Sequence, residues 1–321
     1  MKRVVVAGLW VALAFGLAAG YPRFETALFE TSQQLAQLEL ELKTAERRAG
    51  VLAKDPYASP IERAEAEDAL ERARARLAQQ RLGLRKEAFR LWTDVLKGRA
   101  QAEAAEAVER VAKIRLEAAR IRVEKGAASR LELDAAERAY EQAALQLAQA
   151  RATLAEAIEA LNARADGEPD EVPPVDLPDA FAAAAHPDLR LARLDVRAAE
   201  RALAAAAGPD TARWERERRE AALQSARERA TRLEERVARE LDALQARYDR
   251  QQRLVELARD ALRDARKKLE AEQLRFEEGM TSRLALENAR QALAQARVDE
   301  LAARVELGRL ALELWAFAEA P

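Results

Sequence analysis

The chain has 321 residues, a net charge of −2, no cysteine and a single histidine, His186. Disulfides and thiolate metal sites are therefore excluded, and interleaved acidic and basic residues, without a basic stripe or stacking aromatics, argue against nucleic-acid binding. Charged residues make up 34% and aromatics 5%; Ala, Leu, Arg, Glu and Gln dominate, and these strong helix formers predict long helices and coiled coils.

The chain opens with Lys2 and Arg3, then an apolar run over 4–19 that ends in Ala18, Ala19 and Gly20. This is the layout of a secretory signal peptide over residues 1–20, cleaved near Gly20. Retention as an uncleaved anchor is the alternative, although the run is shorter than the roughly 20 residues a spanning helix needs. No cysteine follows, so a lipoprotein anchor is excluded. No other segment is apolar enough to span a bilayer as a helix.

A first helical hairpin is predicted over 21–165. Its first helix covers 24–53 and ends at the break Asp55-Pro56-Tyr57-Ala58-Ser59. A very long helix follows over 60–125, about 100 Å at 1.5 Å per residue. Ser59-Pro60-Ile61-Glu62 is a capping box with proline at the first helical position, where a missing N–H costs nothing. Gly126 stands where a helix ends on a residue of positive φ. Ser129 then caps a third helix over 129–165, with Glu132 completing a second capping box.

Residues 166–186 form a proline-rich linker that cannot be regular helix; a short helix over 179–185 is predicted before His186-Pro187. The second hairpin, 187–321, repeats the plan: a helix over 187–207, a break at Gly208-Pro209-Asp210, a long helix over 211–278, the Gly279 turn, and a helix over 282–318 capped by Ser282. In each copy the two shorter helices together match the long one in length and are expected to stack end to end beside it.

The repetition is visible residue by residue. At a fixed offset of 153, Arg122, Glu124, Gly126, Ser129, Arg130, Leu131, Leu133 and Ala136 match Arg275, Glu277, Gly279, Ser282, Arg283, Leu284, Leu286 and Ala289. The starts of the copies match more weakly, Ala45-Glu46-Arg47 against Ala199-Glu200-Arg201, one residue out of register. Heptad seams run through both long helices. In copy two the seam is Leu241, Leu244, Tyr248, Gln251, Val255, Ala258, Leu262, Ala265 and Leu269. In copy one it is Ala100, Ala104, Ala107, Val111, Ile114, Ala118 and Ile121. A sustained 3.5-residue repeat predicts left-handed supercoiling. Leu254, Leu257 and Ala261 add a second seam, as suits a helix with more than one neighbour.

These features together resemble one family. The segments EKGAASRLELDAAERAYEQAALQLAQA and EEGMTSRLALENARQALAQARVDELAA look like the periplasmic tips of TolC-family outer-membrane efflux channels. DAFAAAAHPDLRLARLDVRAAERAL resembles that family's start-of-repeat signature, with His186-Pro187 where Asn-Pro usually stands. The likeness covers about 24–317. It implies an all-α fold of two tandem antiparallel coiled-coil hairpins, each one very long helix packed on two shorter stacked helices. It also implies a homotrimer, a periplasmic adaptor protein docked at the tips and an inner-membrane pump behind it. The family carries a β-hairpin between the first two helices of each copy. A hairpin needs at least about 20 residues, and the breaks at 55–59 and 208–210 hold far fewer, which puts an outer-membrane pore in doubt.

The candidate docking residues are Arg122, Gly126, Ser129, Arg130 and Leu131 at the first tip, and Arg275, Gly279, Ser282, Arg283 and Leu284 at the second. The plainer reading is that the glycines and serines make two good helix turns and the arginines are solvated. His186 reads as structural. Trp92, Trp214 and Trp315 fall on helices and read as packing residues. No general acid–base pair, phosphate loop, nucleophile elbow or HExxH appears, so neither enzymatic activity nor a cofactor or metal is expected. Two functions fit: a periplasmic or outer-membrane component of an efflux or secretion system, acting as helical conduit or adaptor-docking element, or a periplasmic coiled-coil spacer or tether without channel activity. An adaptor fits less well, since its flanking β domains are missing.

Overall fold

The computed structural model of the chain describes residues 20–178, 180–208 and 211–318. The signal segment, all but Gly20, lies outside the described residues. Among the described residues seven α-helices follow one another: α1 Gly20–Thr31, α2 Gln33–Lys54, α3 Pro60–Glu124, α4 Arg130–Asn162, α5 Pro187–Ala205, α6 Arg213–Glu277 and α7 Arg283–Leu314. Two 3-10 turns, Ala183–Ala185 and Trp315–Phe317, complete the order. The long helices α3 and α6 each hold 65 residues. Among the described residues the only β-type pairing is one antiparallel bridge, Phe181 with Ala318.

Local chemistry sets the boundaries. Ser59 Oγ accepts from the Glu62 N–H at 3.1 Å while the Ser59 N–H donates to Glu62 Oε2 at 2.8 Å, so the first capping box forms both ways. At Ser129 the hydroxyl half forms, accepting from the Glu132 N–H at 3.3 Å; the return bond from Glu132 is not among the described hydrogen bonds. The single first helix expected over 24–53 is instead two. Ser32 takes extended backbone (ψ 102°) and accepts from the Leu35 N–H at 3.2 Å, so a side-chain cap outcompetes helix continuation. The short helix expected over 179–185 shrinks to the Ala183–Ala185 turn, because the Ala182 N–H is drawn to the Phe317 carbonyl at 2.9 Å beside the Phe181–Ala318 bridge; Asp179 lies outside the described residues.

The chain divides into two compact units, and each takes segments from both copies. The first comprises residues 20–24, Ala88–Pro174 and Asp249–Arg309. Its polar contacts give the helix order α4, α3, α7, α6. Arg120 pairs with Glu137 across α3 and α4, Arg110 with Glu287 across α3 and α7, and Arg259 with Glu300 across α6 and α7. The core surrounds Trp92. From Ala88 to Leu96, seven of nine residues are buried (Ala88, Phe89, Leu91, Trp92, Thr93, Val95 and Leu96), as expected where a helix is enclosed on all sides. Tyr21 and Phe24 set their rings 5.6 and 5.7 Å from the Trp92 ring. The Trp92 indole N–H donates to the Glu171 carbonyl of the linker at 2.9 Å, and an Arg99 guanidinium N–H donates to the Pro169 carbonyl.

The second unit comprises Glu25–Glu87, Val175–Tyr248 and 310–318. Its pairs give the order α2, α3, α5, α6: Arg81 with Glu39, Arg72 with Asp195 and Arg193 with Glu234. Val237, Leu241 and Leu244 of α6 form its core with Leu310, Leu314 and Phe317, and Leu177, Phe181 and Ala183 pack on it. Trp315 donates its indole N–H to the Asp176 carbonyl at 2.9 Å, so both units hold linker backbone by a tryptophan. His186 precedes α5 without a side-chain cap bond and rests on Phe317, ring centres 5.0 Å apart.

The seams are partly as read. Every predicted seam position of α6 from Leu241 to Leu269 is buried or half-buried. Leu254, Leu257 and Ala261, read as a second seam, are exposed, since α6 is last in the order within its unit. In α3 the seam holds from Ala100 to Ile114 and then shifts: Ala118 and Ile121 are exposed, while Leu116 and Ala119 are buried. It is thus α3, between α4 and α7, that spreads its apolar contacts over two neighbours. Trp214, read as a packing residue, is 63% exposed.

One duplication escaped the sequence reading. Arg63 and Arg216, 153 residues apart, make the same bond: Arg63 Nη2 donates to the Asp55 carbonyl at 2.5 Å and Arg216 Nη2 to the Gly208 carbonyl at 2.7 Å. In both, Nε is buried and has no hydrogen-bond partner. The two short breaks are therefore tied down by the same residue type at the same repeat position.

Candidate docking site

Both glycine turns belong to the first unit, and they close alike. Gly126 has φ 67° and Gly279 φ 70°, the left-handed conformation in which only glycine is free of strain. The Gly126 N–H bonds the Val123 carbonyl at 2.9 Å and the Ala127 N–H the Arg122 carbonyl at 2.7 Å. The Gly279 N–H bonds the Phe276 carbonyl at 3.0 Å and the Met280 N–H the Arg275 carbonyl at 2.8 Å. Each is a Schellman motif that satisfies the last carbonyls of its long helix. Ser129 and Ser282 then start α4 and α7, their hydroxyls accepting from the Glu132 N–H at 3.3 Å and the Ala285 N–H at 3.2 Å.

The turns lie at the same end of this unit. Arg115, eleven residues before Gly126, donates to Asn288 Oδ1, nine residues after Gly279, at 3.4 Å. Nearby, Glu287 is buried; Arg290 holds its Oε1 at 2.7 Å, and Arg110 Nε lies 3.5 Å from its Oε2. This fastens the first turns of α7 onto α3. Copy one has Asp134 at the matching position, and it is exposed.

The ten predicted residues are therefore brought to one end, but they are not equivalent. Arg122, Arg130 and Arg283 are exposed and take no ion pair among the described residues, whereas Arg275 is paired with Glu272 at 3.1 Å. Leu131 is 72% exposed, while Leu284 is half-buried. The difference follows from position: α4 has α3 beside it, and α7 lies between α3 and α6. Ile121, expected in the α3 seam, and Leu274, Phe276 and Met280, outside the predicted docking set, are also exposed near the turns. They fall on or beside the seam pattern, so nothing in their spacing separates them from packing residues. The two Schellman turns are thus surrounded by the exposed Arg122, Arg130 and Arg283 and by the exposed apolar side chains of Leu131, Leu274, Phe276 and Met280. Among the described residues, no three His, Asp or Glu side chains are grouped as a metal ion would need.

No protein-family model matches the sequence, and no curated protein matches it. Solved structures do. The outer membrane protein VceC of Vibrio cholerae is 14% identical; the match covers 93% of this chain and 96% of that one, with a TM-score of 0.63. The CmeC outer membrane channel of Campylobacter jejuni is 11% identical over 92% of this chain and 85% of its own, with a TM-score of 0.62. For the MtrE outer membrane channel of Neisseria gonorrhoeae the values are 14%, 92%, 88% and 0.51. At such identities the likeness establishes the fold. The chain has the helical architecture of the TolC-type channels, with no barrel strands among its described residues.

Proposed function

We propose that this protein is a TolC-like component of an efflux or secretion system, exported to the periplasm by residues 1–20 and associated with the outer membrane. In this reading it serves as a helical conduit segment and docks a periplasmic adaptor at its two turns, with an inner-membrane pump beyond. The two tandem copies, 21–165 and 187–321, are its duplicated hairpins, joined by the 166–186 linker. The observation that carries the reading is the pair of matching Schellman turns at one end of a fold shared with outer membrane channels. Their exposed Arg122, Arg130, Arg283 and Leu131 are the docking residues; Gly126, Ser129, Gly279 and Ser282 set the turn geometry, and Arg275 and Leu284 flank them.

A homotrimer fits the flanks of the first unit. Its outermost helices in the contact order, α4 and α6, expose Leu145, Leu254 and Leu257, and a coiled-coil partner would cover the second seam read on α6. A second reading, a periplasmic spacer or tether, is favoured by one observation: the breaks at 55–59 and 208–210 are far shorter than the roughly 20 residues a membrane β-hairpin needs. The mass of the isolated protein in solution separates the two. A trimer supports the conduit, and a monomer or dimer overturns it in favour of the spacer. Nothing in either reading calls for catalysis.

A further inference from the structure

We propose that the end of the second unit carrying Tyr57, Ile61 and Trp214 is an interfacial membrane-contact surface whose partner is a phospholipid headgroup layer. The inference deepens the proposed placement at the outer membrane and rests on it for the identity of the membrane. Tyr57 is 93% exposed, Trp214 63% and Ile61 49%. Ile61 and Trp214 are the same position of the two copies, 153 residues apart, each in the first turn of its long helix. The three lie at one end, because Ile61 of α3 and Ala205 of α5 line the same hollow and Arg201 of α5 pairs there with the buried Asp68 of α3.

This exposure is held in place. Arg63 and Arg216 fasten the backbones of the two breaks, and the Tyr57 N–H donates to Asp55 Oδ1 at 2.9 Å. Tyrosine and tryptophan carry an apolar body and a polar tip, which places them at the boundary between acyl chains and headgroups. Arg213 beside Trp214 is paired with Glu217 at 2.8 Å, but Lys54 and Arg218 are exposed and take no ion pair among the described residues, so two cations are at hand for lipid phosphates. No described helix is long and apolar enough to cross a membrane, so a helical contact here is interfacial. A second copy is the weaker occupant: Tyr57 projects from a loop at the end of the helices, whereas copies associating side by side would cover the flanks.

The test uses the exported protein as isolated, with vesicles of phosphatidylethanolamine and phosphatidylglycerol. Wild type, Trp214→Phe and Tyr57→Ser/Trp214→Ser share one N-terminus, so differences isolate positions 57 and 214. Brominated lipids should quench the emission lost in Trp214→Phe, most strongly with bromines near the headgroup. The double variant, with unchanged helical circular dichroism, should bind the vesicles about tenfold more weakly or less well still, as loss of roughly 1.4 kcal/mol would give. A Trp214 component that bromine leaves unquenched overturns the proposal. So does a blue shift that needs no vesicles and grows with protein concentration, which would assign the patch to contacts between copies. The measurement involves no pump and no oligomer mass, so its failure leaves the conduit reading standing, and a monomer in solution leaves the vesicle result intact.

Discussion

Gly308 of α7 faces the ring of Phe89 on α3 so closely that a Cβ at position 308 would stand 2.4 Å from Phe89 Cζ. Phe89 is itself buried, so its ring has no free space to swing into. A glycine inside a helix normally costs about 0.5–1 kcal/mol relative to alanine, and here helix packing opposes that preference. Gly308→Ala should destabilise by about 1–3 kcal/mol, the usual cost of overpacking. Gly83→Ala, in a helix with nothing within 4 Å of the new methyl, should stabilise by up to about 1 kcal/mol. Denaturant unfolding of the two variants checks the opposite signs, and adding Phe89→Leu should restore much of the loss at Gly308→Ala.

The tryptophans give a second pair of opposed outcomes. Trp92 is completely buried, with Tyr21 and Phe24 against its ring and Glu171 on its indole N–H. Trp92→Ala should cost about 3–5 kcal/mol, as large-to-small changes in a core do. Trp214→Ala removes an exposed ring and should shift stability by no more than about 0.5 kcal/mol. Thermal unfolding followed by circular dichroism reads both.

Acid should loosen the start of α3. The Ser59 backbone N–H, and then its hydroxyl, hold the Glu62 carboxyl below its ordinary pKa. A carboxyl whose folded pKa is depressed stabilises the fold above its unfolded pKa, and that contribution is lost as pH falls through the lower, folded value. Amide exchange in the first turn of α3 should therefore be slower in wild type than in Glu62→Ala at neutral pH. The difference should vanish below the ordinary carboxylate range. A difference that persists in acid would show that the carboxylate is not its source.

Helix order and most helix ends were legible because single residues decide them: Pro60 and Pro187 at starts, Gly126 and Gly279 at positive φ, Ser129 and Ser282 as caps. Ser32 was not, since the same residue type sits harmlessly inside helices unless its side chain turns back to the backbone. The α6 seam was legible in its buried stripe but not in Leu254 and Leu257, because periodicity shows which face is apolar and says nothing of whether a neighbour covers it. The arginine ties at Arg63 and Arg216 were hidden for another reason. In a chain with so many surface arginines, nothing local marks the two whose Nε is buried. The turn residues were legible from their glycine and serine chemistry and from their repetition, but their unequal exposure, Leu131 against Leu284, became visible only once α7 was seen between α3 and α6.

The turns themselves allow scaffold and docking to be separated. Arg130 and Arg283 occupy the first residue of α4 and α7, where the positive end of the helix dipole disfavours a cation. Arg130→Glu/Arg283→Glu should therefore leave stability unchanged or raise it, by at most about 0.3–1 kcal/mol per site. Gly126→Val/Gly279→Val should act in the other direction, because a β-branched residue is strained at φ near 70°, at a cost of about 1–3 kcal/mol per turn. If the turns dock a periplasmic adaptor, the arginine double variant will fold with wild-type circular dichroism and yet lose capture of that adaptor in a pull-down from envelope extracts. The valine pair will lower the melting temperature, so its loss of capture would say nothing about contact chemistry. The arginine pair isolates that chemistry because it changes charge without touching the glycine geometry or the serine caps. Full adaptor capture by the folded arginine variant would mean that these cations are only solvated, and that Gly126, Ser129, Gly279 and Ser282 serve the fold alone.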